Sequence, residues 1–143
     1  MSKVVEFIAK FEGCNLRSYL CPANVLTIGY GSTGEDIYPG MEITLEEAKA
    51  RLFKDILLVE DQLETTLFGV KLTENEYVAL TSLVFNIGIT QFKKSTLCKM
   101  LKSGTDRLIC ANEFDRWNKI KGVESKGLTK RREAEKMLFL SSL

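Results

Sequence analysis

Val4, Val5, Phe7, Ile8 and Phe11 recur at the spacing of a helix with one apolar face, and Gly13 supplies a stop just after Glu12. A first helix is therefore expected to deliver Glu12 at its C-terminal end. From Arg17 to Gly34 the pattern shifts to Tyr, Val, Thr and Ile, punctuated by Pro22, Asn24, Gly29, Gly31 and Gly34, which predicts two or three short antiparallel strands. Cys21 then falls at the first turn and Thr27 on the second strand.

Beyond Gly34 the helical period returns. Thr44 with Glu47 forms a capping box, and Leu45, Ala48, Leu52, Ile56, Val59, Leu63 and Leu67 continue it as one long amphipathic helix. Thr73 with Glu76 repeats the box ahead of Tyr77 to Ile87, a segment apolar on nearly every side and so expected to be central and buried, with Gly88 ending it. Ser95 and Thr105 are expected to cap helices over Thr96 to Lys102 and Asp106 to Trp117, and Gly127 to precede a last one reaching Leu140. The fold class is α+β and mostly helical, with two lobes in a single domain of residues 1–143. A small sheet lobe covers about 14–44, a linking helix about 45–67, and a helical lobe 68–143, to which helix 1–12 is also assigned. A cleft between such lobes suits an extended polymer.

With 45% hydrophobic and 27% charged residues, the chain has the make-up of a compact domain that buries a core. No apolar run approaches the roughly 20 residues of a membrane helix, and Met1 to Lys10 lacks a secretory signal pattern, so no stable membrane insertion is expected. Net charge is +1 but segregated: Glu35 to Glu64 carries nine acidic and three basic residues, and Arg116 to Lys136 eight basic and three acidic. Near-neutral total charge and the lack of interleaved aromatics in the basic run argue against nucleic acid. Solvated helix faces explain both runs; a basic end facing a carboxylate-bearing polymer is the sharper alternative.

The four cysteines, at 14, 21, 98 and 110, form no CxxC pair, and with no His in the chain a metal site is not expected. Cys98 and Cys110 fall on apolar helix faces and read as core. Cys14 and Cys21 are close enough in sequence to suggest a disulfide in an oxidising compartment, if their Cα atoms lie within about 7 Å.

Phe11-Glu12-Gly13, Cys21, Thr27-Ile28-Gly29-Tyr30-Gly31 and Gly127-Leu128-Thr129-Lys130-Arg131-Arg132-Glu133-Ala134-Glu135, in that order, resemble the phage-type lysozymes (endolysins) of the T4 lysozyme superfamily. Their triad is Glu, eight residues, Asp or Cys, five residues, Thr, which carries onto Glu12, Cys21 and Thr27. The resemblance covers essentially the whole chain. It implies hydrolysis of the β-1,4 bond between N-acetylmuramic acid and N-acetylglucosamine, peptidoglycan strands as partner, no cofactor, a monomer, and residence in the host cytoplasm until a holin-type lesion releases it. Thr33, Phe85, Asn86 and Ser95 are the substrate-binding positions it implies. Arg131 and Arg132 match the family's Arg pair, of which Arg131 is the one expected to approach the catalytic Glu. Where the family usually has His after the Gly-aromatic-Gly segment, this chain has Ser32, so an interaction that stiffens the sheet lobe is expected to be missing.

Glycoside hydrolysis needs an acid on the leaving oxygen and assistance from the opposite face of the sugar. Glu12, partly desolvated, suits the acid. A Cys21 thiolate suits a base toward water or a stabilising charge if its pKa falls below about 8.5, with Arg17 or the basic run as the expected positive partner. Thr27 does not ionise usefully but can hold a water. Asn86 interrupts an apolar helix, and a buried amide there requires partners. Two other readings stay open. A lytic transglycosylase would use Glu12 alone, and a peptidoglycan-binding module would keep the fold without turnover.

Overall fold

The computed structural model describes residues 3–141. They divide into two compact units, one up to Leu58 and the other from Val59. In the first, α1 (Lys3–Ala9) leads to β1 (Asn15–Leu20), β2 (Leu26–Gly29) and β3 (Ser32–Thr33), an antiparallel sheet in the order β1-β2-β3. α2 (Leu45–Thr66) follows and runs through the boundary into the second unit.

α1 stops three residues before Glu12, because the N–H groups of Phe11 and Glu12 both turn back to the Ile8 carbonyl, at 3.0 and 3.2 Å. Glu12 therefore sits in a bend rather than on the helix. Contacts group α1 with the sheet, not with the later helices to which the sequence assigns it. Its Val4, Val5 and Ile8 are buried, and its Glu6 pairs with Lys49 of α2 at 3.7 Å.

Ile28 and Tyr30 on the sheet side, Ile37 and Ile43 after it, and Ala48, Leu52 and Ile56 on α2 add to this unit's apolar interior. Gly29 allows strand and helix to meet. It has φ +67°, and a Cβ there would stand 3.3 Å from Ala48 Cβ. Beside it, Ser32 corrects an expectation. Its buried hydroxyl donates to Asp55 Oδ2 of α2 at 2.7 Å, so the sheet is tied to the helix without a histidine. A hydrogen bond to a charged acceptor contributes about 1.5–3 kcal/mol when it is shielded from water.

The second unit holds α3 (Glu74–Ile87), α4 (Ile89–Lys94), α5 (Thr96–Lys102), α6 (Arg107–Asn112), a 3-10 turn over Glu113–Trp117, a two-stranded hairpin of β4 (Lys119–Ile120) and β5 (Val123–Glu124), and α7 (Lys126–Leu140). Both capping boxes form: Thr44 and Glu47 bond reciprocally at 3.1 and 3.2 Å, and Thr73 and Glu76 at 3.1 and 2.9 Å. α3 is buried over Val78 to Val84, as its apolar pattern predicts. Around it lie Leu63 and Leu67 of α2, Phe92, Leu97, Leu101, Cys110 and the tilted ring pair Phe114 and Phe139, 5.3 Å apart.

Two caps differ from expectation. Asp106, not Thr105, accepts from Leu108 N at the start of α6. Ser125 accepts from Leu128 N at the start of α7, which places Gly127 inside the first turn instead of before it. α4 and the hairpin were not expected.

Candidate active site

In the first unit the chemistry gathers at the β1–β2 turn. Cys21 N–H bonds the Val25 carbonyl at 3.0 Å and Asn24 N–H returns to the Cys21 carbonyl at 2.8 Å, with Asn24 in the left-handed region (φ 63°). This tight loop turns the N–H groups of Val25 and Ala23 onto the Cys21 sulfur, which lowers the thiol pKa below its ordinary value against a smaller opposing effect of burial. The Thr27 side chain adds to the same effect.

Positive charge expected from Arg17 plays no part. Arg17 is exposed and faces Glu42 at 3.8 Å. The turn itself acts as the anion holder through backbone dipoles.

Thr27 is buried in the middle strand, opposite Tyr19 of β1 and Thr33 of β3. Its hydroxyl donates to the Val25 carbonyl at 2.9 Å, and the same proton favours the Cys21 thiolate when it turns to the sulfur instead; the oxygen's lone pairs remain acceptors for a water. Thr33 is exposed at the sheet edge. Glu12 is half-buried in its bend.

Cys14 and Cys21 do not pair; all four cysteines are free. The two flank β1, whose six residues set them about 20 Å apart at a strand's rise of about 3.3 Å per residue, far beyond a disulfide's reach of about 7 Å. Cys98 and Cys110 are buried, as expected, and burial pushes both thiols up.

A pH-dependent alkylation profile should separate these thiols. Because deprotonation of Cys21 is favoured, its reaction with iodoacetamide should rise through a midpoint below the ordinary thiol value of about 8.5. Cys98 and Cys110 should react only in denaturant. Thr27→Val should move the Cys21 midpoint upward, since one group favouring the thiolate is removed; an unmoved midpoint would dissociate Thr27 from the thiol.

The second unit positions the remaining candidates. Ser95 is buried and structurally committed: its hydroxyl donates to the Phe92 carbonyl at 2.6 Å and accepts from Cys98 N at 3.1 Å, capping α5. It nonetheless borders a pocket of about 320 Å³ with Lys94, Glu113, Arg116 and Trp117. Asn86 is exposed, contrary to expectation, but its Oδ1 does take a buried partner, accepting from Arg132 Nη1 at 2.9 Å. It lines a second pocket of about 390 Å³ with Ile87, Lys119 and Leu128, again beside Arg116 and Trp117. Phe85 is half-buried.

Trp117, the chain's single tryptophan, and Arg116 thus border both pockets. No sequence motif singled them out, because they lie in a short 3-10 turn.

Arg131 and Arg132 are both buried, and both reach Glu135 one turn along α7, at 3.3 and 2.7 Å. Arg131 Nη2 also donates to the Ser82 carbonyl and Oγ at 3.1 and 3.3 Å, Arg132 Nη1 to the Trp117 carbonyl at 3.1 Å, and Ser82 Oγ to Glu135 Oε2. Adjacent on the helix, the two guanidiniums converge on one carboxylate from different sides. Burial holds the Glu135 carboxyl above its ordinary value, against the smaller downward pulls of Arg132, Ser82 and Arg131.

A family model described as phage lysozyme matches residues 9–135. The chain is 45% identical over 145 residues to an endolysin of Acyrthosiphon pisum secondary endosymbiont phage 1, covering 98% of this chain and 97% of that one. It is 37% identical over 139 residues to an endolysin of Bacillus phage B103, covering 96% of this chain but only 52% of the relative's length. Among solved structures it is similar to the muramidase domain of SpmX from Asticaccaulis excentricus, with a TM-score of 0.89 and 33% identity, covering 98% of this chain and 96% of that one.

Proposed function

The chain belongs to the phage lysozyme family, and from that premise we propose that it is an endolysin hydrolysing the β-1,4 bond between N-acetylmuramic acid and N-acetylglucosamine of peptidoglycan. It is a glycoside hydrolase of the lysozyme type. The observation that carries the mechanism is the β1–β2 turn, where backbone N–H groups and the Thr27 side chain favour a thiolate at Cys21.

Glu12 donates its proton to the leaving glycosidic oxygen as the C–O bond breaks. Cys21, as thiolate, takes a proton from a water held by the Thr27 hydroxyl, and the water oxygen closes onto the oxocarbenium-like carbon. Activity that depends on the thiolate rises with pH through the lowered Cys21 pKa, earlier than an ordinary thiol would allow. Asn86 and the pockets beside Trp117 and Arg116 serve as sugar and peptide contacts in this reading.

No helix among the described residues is long and apolar enough to cross a membrane. We place the enzyme at the cell wall after release through a lesion made by another protein.

Mass spectrometry of digested peptidoglycan tests the assignment. Products ending in reducing N-acetylmuramic acid support hydrolysis. Products with 1,6-anhydro ends, together with silent Cys21→Ser and Thr27→Ala substitutions, would replace it with a lytic transglycosylase, and uncut glycan would leave a binding module.

A further inference from the structure

Apart from Lys119, which lines the pocket beside Asn86, the β4–β5 hairpin is not used by the reaction. Lys121 and Gly122 both take positive φ, 51° and 81°, which gives the two-residue turn whose twist suits a hairpin. Ile120 pairs with Val123, so these side chains stand together at the tip. They are 58% and 70% exposed. The base of the hairpin is fixed: Ser125 N–H bonds the Asn118 carbonyl at 2.8 Å, and Asn118 Nδ2 donates to Thr129 Oγ1 of α7 at 3.3 Å.

Charge surrounds this tip unevenly. Arg131 and Arg132 are buried on Glu135, Arg116 pairs with Glu113 and Lys136 with Asp115. What the basic run leaves at the surface is Lys119, Lys121, Lys126 and Lys130, all exposed, against two exposed acids, Glu124 and Glu133. None of the four lysines is ion-paired among the described residues.

We propose that this hairpin docks on an anionic phospholipid surface, Ile120 and Val123 entering the headgroup layer while the lysines meet lipid phosphates. Charge complementarity requires an anionic partner. The paired aliphatic tip selects lipid over a polar polymer, which would answer the lysines and have nothing to receive two bare hydrocarbon side chains. Other apolar residues of this unit are as exposed, Phe68 at 92%, Met137 at 74% and Leu108 at 60%, but none of them is held in a cross-strand pair at the tip of a hairpin.

Co-sedimentation of the full chain with vesicles tests this. Binding to phosphatidylcholine vesicles containing phosphatidylglycerol should exceed binding to phosphatidylcholine alone by about tenfold or more, and fall as salt is raised. Lys121→Ala with Lys126→Ala should weaken it about 30-fold, at about fivefold per lysine, and Lys121→Ala alone about fivefold, which keeps the test open if the double variant folds poorly. Ile120→Ser with Val123→Ser should weaken binding to the same vesicles. Equal binding to both vesicle types, or lysine variants that bind like the wild type, would overturn the proposal. Serine variants that bind like the wild type would overturn it in favour of an anionic polymer.

Discussion

Glu12→Gln is expected to lower peptidoglycan turnover by about 10²–10⁴-fold, the usual contribution of a positioned general acid. Glutamine matches the side chain in size and keeps its carbonyl oxygen, but it carries no dissociable proton for the leaving glycosidic oxygen. Circular dichroism should show the folded spectrum, so the loss belongs to chemistry and not to unfolding. Turnover within tenfold of the wild type would move the acid to another residue and break the proposed mechanism at its first step. Cys21→Ser makes the informative companion. Serine fits the same turn but does not ionise near neutrality, so its rate should lose the rising limb that the lowered Cys21 pKa gives the wild type.

Glu135→Gln should produce the largest loss of stability, about 3–5 kcal/mol, read as a lower urea midpoint with an unchanged slope. The carboxylate is fully buried and supplies a negative charge shared by two guanidiniums that are themselves 3% and 1% exposed. An amide keeps some hydrogen bonds but leaves two cations without their shared charge in a low-dielectric interior. Against a total stability of about 5–15 kcal/mol for an ordinary domain, that is a large fraction. The damage should spread to the surface, because Arg132 also holds Asn86 Oδ1, at the second pocket, and the carbonyl of Trp117, which borders both. A loss below about 1 kcal/mol would mean that the guanidiniums are satisfied without Glu135.

What could be read from the chain follows the strength of local signals. Two capping boxes and long apolar periods specify α2 and α3 within a residue or two, since both local bonding and burial favour the same helix. α4 escaped notice because its six residues bury only Phe92 and show no period. The β4–β5 hairpin was hidden by its lysines: Lys121 in the left-handed region does what Asn or Asp usually does before Gly, so the turn lacked its common marker.

The order and spacing of Glu12, Cys21 and Thr27 could be read from the chain, but the source of the Cys21 shift could not. It comes from backbone N–H groups, which every residue carries and no sequence pattern displays. Ser95 was legible as the helix cap it proves to be, from a hydroxyl just ahead of an apolar period, whereas its substrate contact is implied by the resemblance alone. The exposure of Asn86 was missed, because an amide in an apolar run reads as buried even in the last turn of a helix, where its side chain can face outward.

The Ser32–Asp55 bond has a consequence for the acidity of the surroundings. An imidazole in place of the hydroxyl would carry a charge that comes and goes near pH 6.5, and its grip on the aspartate would slacken as the medium turned alkaline. Serine keeps its proton throughout that range, and the chain contains no histidine anywhere. The sheet that carries Cys21 and Thr27 is therefore fastened by a donor indifferent to whether the enzyme stands in a buffered cell interior or an acidified wall.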